Sequence, residues 1–103
     1  MTDERYRSRS QQRVLTVLLR LSGNEFYGLT PGELAEALGE RPANITRDLA
    51  NLKIAGLAEQ IEDTGRWRLG PKLVQIAIAF RSHVERCQTK LDELDQRHTR
   101  NPN

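Results

Sequence analysis

The residues best suited to chemistry are polar side chains that follow Pro42 on a predicted helix. Arg47 suits the O6 and N7 acceptors of guanine, Asn44 suits the N6 and N7 atoms of adenine, and Thr46 offers a hydroxyl or a methyl group. Side chains of these types could read base edges in a nucleic-acid groove. The alternative is a solvated helix face on which Arg47 and Asn51, four residues apart, pair with each other.

A second basic group follows Gly65. Arg66 and Arg68 alternate with Trp67 and Leu69, so a strand would place the basic side chains on one side and the apolar ones on the other. The basic side suits phosphate or minor-groove contact, and the alternative is an ordinary charged strand face. We expect Arg66, which is nearer the turn, to contact phosphate, so that its loss weakens binding to every DNA sequence. Trp67 is expected to anchor the core.

Charge is distributed unevenly along the chain. The first 20 residues carry five arginines and two acids, whereas residues 21–40 carry four glutamates and no base. Such asymmetry suits a protein that turns one face toward a polyanion. Four arginines near the N-terminus could neutralise phosphates, each steepening the salt dependence by about 0.9 in log–log slope: Arg5, Arg7, Arg9 and Arg13. The alternative is an arm that only aids solubility.

Length and composition exclude several classes of protein. With 103 residues, of which 37% are hydrophobic, the chain allows one domain with a small core. A single cysteine, Cys87, leaves no intrachain disulfide and no cysteine-ligated zinc site. The sequence has no apolar run of the roughly 18 residues that a membrane helix needs, and no signal-peptide pattern at its start. We therefore expect a soluble, cytoplasmic protein with no cofactor, bound metal or membrane contact.

An enzyme is not expected. The sequence contains no glycine-rich phosphate loop, no nucleophile motif and no metal-ligand spacing. A chain this short also rarely encloses the pocket that a catalytic group requires.

Apolar periodicity predicts three helices in the first half of the chain. The first spans residues 9–22, and Phe26 and Tyr27 are expected to pack over its junction with the second. The second begins with a capping box formed by Thr30 and Glu33 and ends at Gly39. The third begins near Pro42 and ends at Gly56, with a buried stripe that consists of Ile45, Leu49 and Leu52.

Two short strands and a long helix follow. Residues 57–61 and 66–69 predict a hairpin, and Pro71 suits the first position of a helix. Apolar residues then recur at alternating spacings of four and three, an unbroken heptad seam over 22 residues: Leu73, Ala77, Phe80, Val84, Cys87, Leu91 and Leu94. The first turns, with Leu73, Ile76, Ala77 and Phe80, are expected to close the domain's own core.

The narrower strip beyond these turns predicts dimerisation through Phe80, Val84, Cys87, Leu91 and Leu94. The alternative is that this half of the helix folds back over the first helix of its own chain. The predicted fold class is mainly α with a small β-hairpin, a winged helix-turn-helix plus a long C-terminal helix. The expected divisions are a basic flexible arm (1–8), the winged helix-turn-helix DNA-binding domain (9–72), a dimerisation helix (73–96) and a polar tail (97–103).

Over residues 12–80 the sequence resembles the IclR-type transcriptional regulators. The segment from Leu29 to Gly39 is similar to the opening of that family's helix-turn-helix, and residues 44–52 with 56–59 are similar to its recognition helix and first wing strand. The segment from Gly65 to Leu73 resembles its wing exit, which is usually Gly-Arg-Tyr-Arg-Leu-Gly followed by a helix. The helix-turn-helix half is shared with MarR-like and other winged helices.

The order of elements and the resemblance imply a sequence-specific, double-stranded DNA-binding transcriptional regulator, and the heptad seam predicts that it acts as a homodimer. The candidate DNA-binding residues are Arg41, Asn44, Thr46, Arg47, Asn51, Arg66 and Arg68. Family members continue into a ligand-sensing domain. The resemblance here does not extend to that domain, so a small-molecule effector is not expected. Asp48 stands where the family often has an apolar residue, which is expected to alter how the third helix packs or reads DNA. The alternative function is a winged-helix adaptor or inhibitor that binds a partner protein instead of DNA.

Overall fold

The computed structural model describes residues 3–100. A short 3-10 helix (Asp3–Tyr6) precedes six further elements, in the order α1 (Arg9–Leu21), α2 (Pro31–Leu38), α3 (Pro42–Ile54), β1 (Ala58–Gln60), β2 (Trp67–Leu69) and α4 (Pro71–Arg100). Strands β1 and β2 pair antiparallel, with Glu59 opposite Arg68. This is a winged helix-turn-helix followed by a long helix, as the sequence predicts. The chain divides after Leu73 into two compact units, of which the second consists of α4 from Val74 onward.

Both ends of the described chain are more regular than predicted. Within the arm expected to be flexible, residues 3–6 form the 3-10 helix, and the Arg7 guanidinium donates two hydrogen bonds of 2.7 Å to the Glu4 carboxylate. The final helix runs to Arg100, past the expected end at residue 96. In this last turn the Thr99 hydroxyl donates to the Asp95 and Gln96 carbonyls. Residues 1, 2 and 101–103 lie outside the described part of the chain.

The start of α2 is fixed by local hydrogen bonds. The Thr30 hydroxyl accepts from the Glu33 N–H, and the Glu33 carboxylate accepts from the Thr30 N–H, both at 3.0 Å. This confirms the predicted capping box. The bond from the Thr30 N–H, followed by that residue's side chain and the charge of Arg66, lowers the pKa of Glu33. At the other end Gly39 adopts φ 64°, so α2 stops and the chain turns into α3.

The core lies where α1 and α2 meet α3 and the hairpin. Its fully buried side chains are Val17, Leu21, Leu34, Ile45 and Leu49. Trp67 is 8% exposed and packs with them, which confirms its predicted role as an anchor.

Two leucines of α1 lie outside this core. Leu15 and Leu19 are 50% and 73% exposed. They share a side of α1 because they are four residues apart, and that side is nearly opposite the one carrying Val17 and Leu21.

Phe26 and Tyr27 do not pack over the junction of α1 and α2, so that expectation is wrong. The two rings are 90% and 82% exposed. Their loop is closed tightly at Gly28, whose N–H donates to the Asn24 carbonyl at 2.7 Å. A Cβ at Gly28 would lie 2.6 Å from the Trp67 carbonyl oxygen. The backbone therefore approaches β2, in the hairpin that forms the wing, more closely than any residue but glycine allows. The backbone thus takes the inner side of the loop, and the aromatic rings remain outside.

A buried ion pair joins α1 to α3. Arg13 donates from Nε to Asp48 Oδ2 at 2.6 Å and from Nη2 to Oδ1 at 3.0 Å. The two side chains are only 12% and 7% exposed. The hydrogen bonds to Asp48 raise the pKa of Arg13. The pair explains why α3 carries an acid at this position, and it engages Arg13 inside the protein, where the sequence suggested phosphate contact.

Removing one member of this pair should destabilise the protein more than removing both. The variant Asp48→Leu leaves a buried, unpaired guanidinium, which costs about 3 kcal/mol of unfolding free energy. The double variant Arg13→Met with Asp48→Leu should lose clearly less than the sum of the two single variants, because neither charge is then stranded. Urea unfolding followed by circular dichroism measures all three. Additive losses, within about 0.5 kcal/mol, would contradict the pairing.

Candidate nucleic-acid interface

One side of α3 combines exposure with hydrogen-bonding chemistry. Arg41, Asn44, Arg47 and Asn51 follow one another at spacings of three, three and four, so they lie along one side of the helix. We call these four residues the α3 stripe. Asn44 is half-buried and the other three are exposed. Thr46, two residues from Asn44, is also exposed but lies on the opposite flank, so the structure does not bring it together with the stripe.

The middle of the stripe is partly organised by its own helix. Asn51 donates from Nδ2 to the Arg47 carbonyl at 2.9 Å, which fixes the amide while its Oδ1 stays available as an acceptor. This is a bond to the backbone rather than the pairing of two side chains that was the alternative. Within residues 3–99, no carboxylate lies within ion-pair distance of Arg41 or Arg47. Their guanidinium groups can therefore serve an external acceptor.

The stripe borders an open groove between α1 and α3. The groove has a volume of about 390 Å³, and its lining consists of Ser10, Gln11, Arg13, Val14, Arg47, Asp48 and Asn51. Ser10 and Gln11, in the first turn of α1, therefore stand beside the stripe. Sequence reasoning missed them because no local pattern links them to α3. The packing of α1 on α3, which includes the ion pair between Arg13 and Asp48, 35 residues apart, brings the two segments together.

Arg66 is engaged within the protein instead of facing outward. Its Nε donates to the Tyr27 carbonyl at 3.0 Å, and its Nη2 donates to the Gly28 carbonyl at 3.1 Å. The same Nη2 lies 2.8 Å from Glu33 Oε1. Arg66 thus fastens the loop before α2 to the wing through contacts that the sequence did not predict.

Arg68 is also paired. Its Nε donates to Glu59 Oε1 at 2.7 Å, directly across the hairpin, and its Nη1 reaches the Glu25 carbonyl at 3.5 Å. The turn between the strands carries exposed Glu62 and Asp63. The wing therefore combines neutralised arginines with an acidic tip, a poor surface for phosphate.

The exposed N-terminal arginines differ in their partners. Arg7 pairs with Glu4, and that hydrogen bond lowers the pKa of the Glu4 carboxyl. The Arg5 guanidinium lies over the Tyr6 ring, 4.7 Å from its centroid. Arg9 is exposed, and within the described residues no carboxylate lies within ion-pair distance of it.

Helix α4 carries an exposed apolar seam along its length. Phe80, Val84, Leu91 and Leu94 are between 48% and 68% exposed, and Cys87 is exposed as well. The expectation that the first turns close the domain's own core is wrong for Ile76 and Phe80, which are 55% and 68% exposed, whereas Leu73 is half-buried. None of the helices in the part of the chain described here is long and apolar enough to cross a membrane.

No protein-family model and no curated protein matches the sequence significantly. Several solved structures do match it. An IclR transcriptional regulator from Alicyclobacillus acidocaldarius superposes with a TM-score of 0.63 and 28% identity over 69% of this chain. The fold is that of an IclR-type winged helix-turn-helix domain. The match spans only 28% of the Alicyclobacillus chain.

Two further structures share this winged helix-turn-helix. HmgR of Pseudomonas aeruginosa matches with a TM-score of 0.64 and 23% identity, over 76% of this chain and 33% of its own. A mutant of MepR from S. aureus, solved with a bound oligodeoxyribonucleotide, matches with a TM-score of 0.53 and 20% identity. That match covers 85% of this chain and 72% of MepR. The chain therefore spans about a third or less of the two longer proteins.

The contacts of Arg66 predict a structural role that can be measured. The variant Arg66→Ala leaves two backbone carbonyls without their donor and removes the ion pair with Glu33, so the unfolding free energy should fall by about 1–2 kcal/mol. Arg68→Ala is the matched comparison, since it removes one partly exposed ion pair and a single 3.5 Å contact with the Glu25 carbonyl, and it should cost below about 1 kcal/mol. Urea unfolding of both variants compares them directly. Equal stability of Arg66→Ala and the parent would contradict the role assigned to Arg66.

Proposed function

We propose that this protein is a sequence-specific, double-stranded DNA-binding transcriptional regulator that reads the major groove with α3. The α3 stripe carries the proposal, because it presents two arginines and two asparagines on one side of an exposed helix. A helix with its side chains is about 10–12 Å across, and the major groove of B-DNA is about 12 Å wide. MepR, which shares the fold, was solved with an oligodeoxyribonucleotide bound, and this supports DNA as the partner.

Individual roles follow from position on α3. Arg47 lies at the centre of the exposed side without a carboxylate partner, so it is the proposed base reader, with guanine as its best acceptor. Asn51, held by its bond to the helix backbone, presents Oδ1 beside it. Arg41 precedes the first residue of α3, and in helix-turn-helix complexes this end of the recognition helix lies deepest in the groove. Thr46, on the other flank, suits contact with a phosphate.

The wing arginines have a different role in this proposal. Arg66 and Arg68 hold the wing against the loop before α2, and thereby fix the position of that loop relative to the hairpin. Phosphate neutralisation falls instead to exposed cations such as Arg9, at the start of α1, which lines a groove with Leu38 and Glu40, the residues just before the stripe.

Replacing Arg47 should remove sequence discrimination without unfolding the protein. We expect Arg47→Ala to weaken binding to a selected operator by about 1–3 kcal/mol, as the loss of a bidentate base contact does. Fluorescence anisotropy on an operator selected from random-sequence duplexes measures the effect. Arg86→Ala, which removes the same charge from α4, is the control and should leave affinity near that of the parent.

If Arg47→Ala and Arg86→Ala bind the operator equally well, α3 is not the reading surface. Circular dichroism of each variant excludes unfolding as the cause of a loss.

The second part of the proposal is a homodimer formed through α4. An exposed strip of Phe80, Val84, Leu91 and Leu94 in water forgoes apolar burial worth roughly 25 cal/mol per Å², and a second copy would recover it. A symmetric dimer presents two α3 helices to half-sites about 34 Å apart on a palindromic operator. This dimer gives the long helix a function that the winged domain alone does not require.

Charges placed on the seam should dissociate the dimer. Light scattering at micromolar concentration should show a dimer for the parent and a monomer for Leu91→Glu with Leu94→Glu, since the two acids would be buried against their own copies. Operator affinity should fall with dimerisation. The control Thr89→Glu with Gln96→Glu adds equal charge on the outer side of α4 and should remain dimeric. A monomeric parent would contradict the dimer and favour the folded-back alternative.

A partner-binding adaptor is the second candidate function, and one observation favours it. Phe26 and Tyr27 are exposed on a loop that Arg66 and Arg68 hold in place through its carbonyls. Exposed aromatic side chains on a rigid support are typical of protein interfaces. The two functions differ in their response to DNA, because an adaptor of this kind binds no duplex even at low salt.

A further inference from the structure

We propose that two α4 helices pair in parallel and in register, so that Cys87 faces the partner's Cys87. The inference rests on the dimer proposed above and adds its orientation. In the heptad repeat of α4, positions a and d form the seam that faces the partner helix. Position a holds Ala77, Val84 and Leu91, and position d holds Leu73, Phe80, Cys87 and Leu94.

Charges beside the seam favour this orientation. In a parallel pair, position g contacts position e of the partner's following heptad, five residues further on. Lys90 occupies g and Asp95 occupies e, and both side chains are exposed on α4. Parallel pairing therefore brings Lys90 to the partner's Asp95, and symmetry repeats the contact. The remaining g–e contacts within the described helix bring no two like charges together.

Antiparallel pairing lacks this complementarity. In an antiparallel pair, position g faces g and position e faces e. If Val84 packs on the partner's Cys87, Lys90 contacts the partner's His83, and no acid contacts a base. A shift of one heptad brings Arg81 to Asp95, but it also places Lys90 against the partner's Lys90. Each antiparallel register thus either lacks opposite-charge pairs or includes like-charge contacts.

The cysteine makes the orientation measurable. Packed helices have axes 8–10 Å apart and a Cα radius of about 2.3 Å, so facing d positions have Cα atoms roughly 3.4–5.4 Å apart. The upper part of this range overlaps the separation of about 4.4–6.8 Å that a disulfide requires. Cys87 is exposed in the single chain, with its Sγ 3.7 Å from His83 Nε2. Two paired thiols would form a disulfide on treatment with diamide, which takes up their two protons and two electrons.

The test moves the thiol along the seam of the full-length chain. The Leu94→Cys variant is made in a Cys87→Ala background. Its thiol faces the same thiol of the second copy only if the helices are parallel. In the two antiparallel registers the two thiols are about 15 or 25 Å apart along the axis. Gln96→Cys, on the outer side, is the control for random collision. The antiparallel probe is a mixture of Ala77→Cys with a tagged Leu94→Cys chain, because those positions face each other in the first antiparallel register.

We expect diamide to cross-link the parent and the Leu94→Cys variant at least about tenfold faster than Gln96→Cys, read by non-reducing electrophoresis. Cross-linking of the mixture without cross-linking of Leu94→Cys alone would overturn the parallel orientation and leave the dimer intact. A dimer by light scattering in which neither probe cross-links would also overturn it. A monomeric parent would instead contradict the proposed dimer itself.

A charge exchange gives an independent readout. Lys90→Asp and Asp95→Lys should each weaken the dimer by about fivefold, and the double variant should restore most of the affinity, as measured by sedimentation. Independent, additive losses would contradict the parallel contact.

Discussion

The ion pair between Arg13 and Asp48 is the constraint on which the winged domain depends. A nearly buried carboxylate is tolerated only when a donor satisfies it, so α3 can pack on α1 only in the register that brings Asp48 to Arg13. That register places the α3 stripe beside the first turn of α1. The exposed position of Arg47, one residue before Asp48, is thus a consequence of a contact on the inner side of the same helix.

The arginines of the chain divide between structural and exposed positions. Arg13, Arg66 and Arg68 all bind carboxylates or carbonyls within the domain, where their planar, multiple donors can hold several acceptors at once. Their charges are consequently balanced, and the wing offers little attraction for phosphate. Within the described residues, Arg9, Arg41 and Arg47 lie outside ion-pair distance of any carboxylate and remain available to an external anion. The proposed nucleic-acid surface is therefore narrower than a count of basic residues suggests.

Local patterns in the sequence predicted most of the fold. The capping box of α2, the turn at Gly39 and the core position of Trp67 depend on neighbouring residues or on simple alternation, and each is confirmed by the structure. Contacts between distant residues were not predictable in this way. The pairing of Arg13 with Asp48 spans 35 residues, and Arg66 reaches carbonyls 38 and 39 residues away. Basic side chains at these positions carry no local sign of whether a partner inside the protein will engage them.

The central claim is that the protein binds duplex DNA through cations that carry no internal carboxylate. The most direct test is the affinity for a pool of random-sequence duplexes, measured across a series of salt concentrations. We expect clear binding at low salt that weakens linearly in a log–log plot, with a slope of about −0.9 for each phosphate contact. Absence of binding at the lowest salt, or an affinity that does not change with salt, would contradict it.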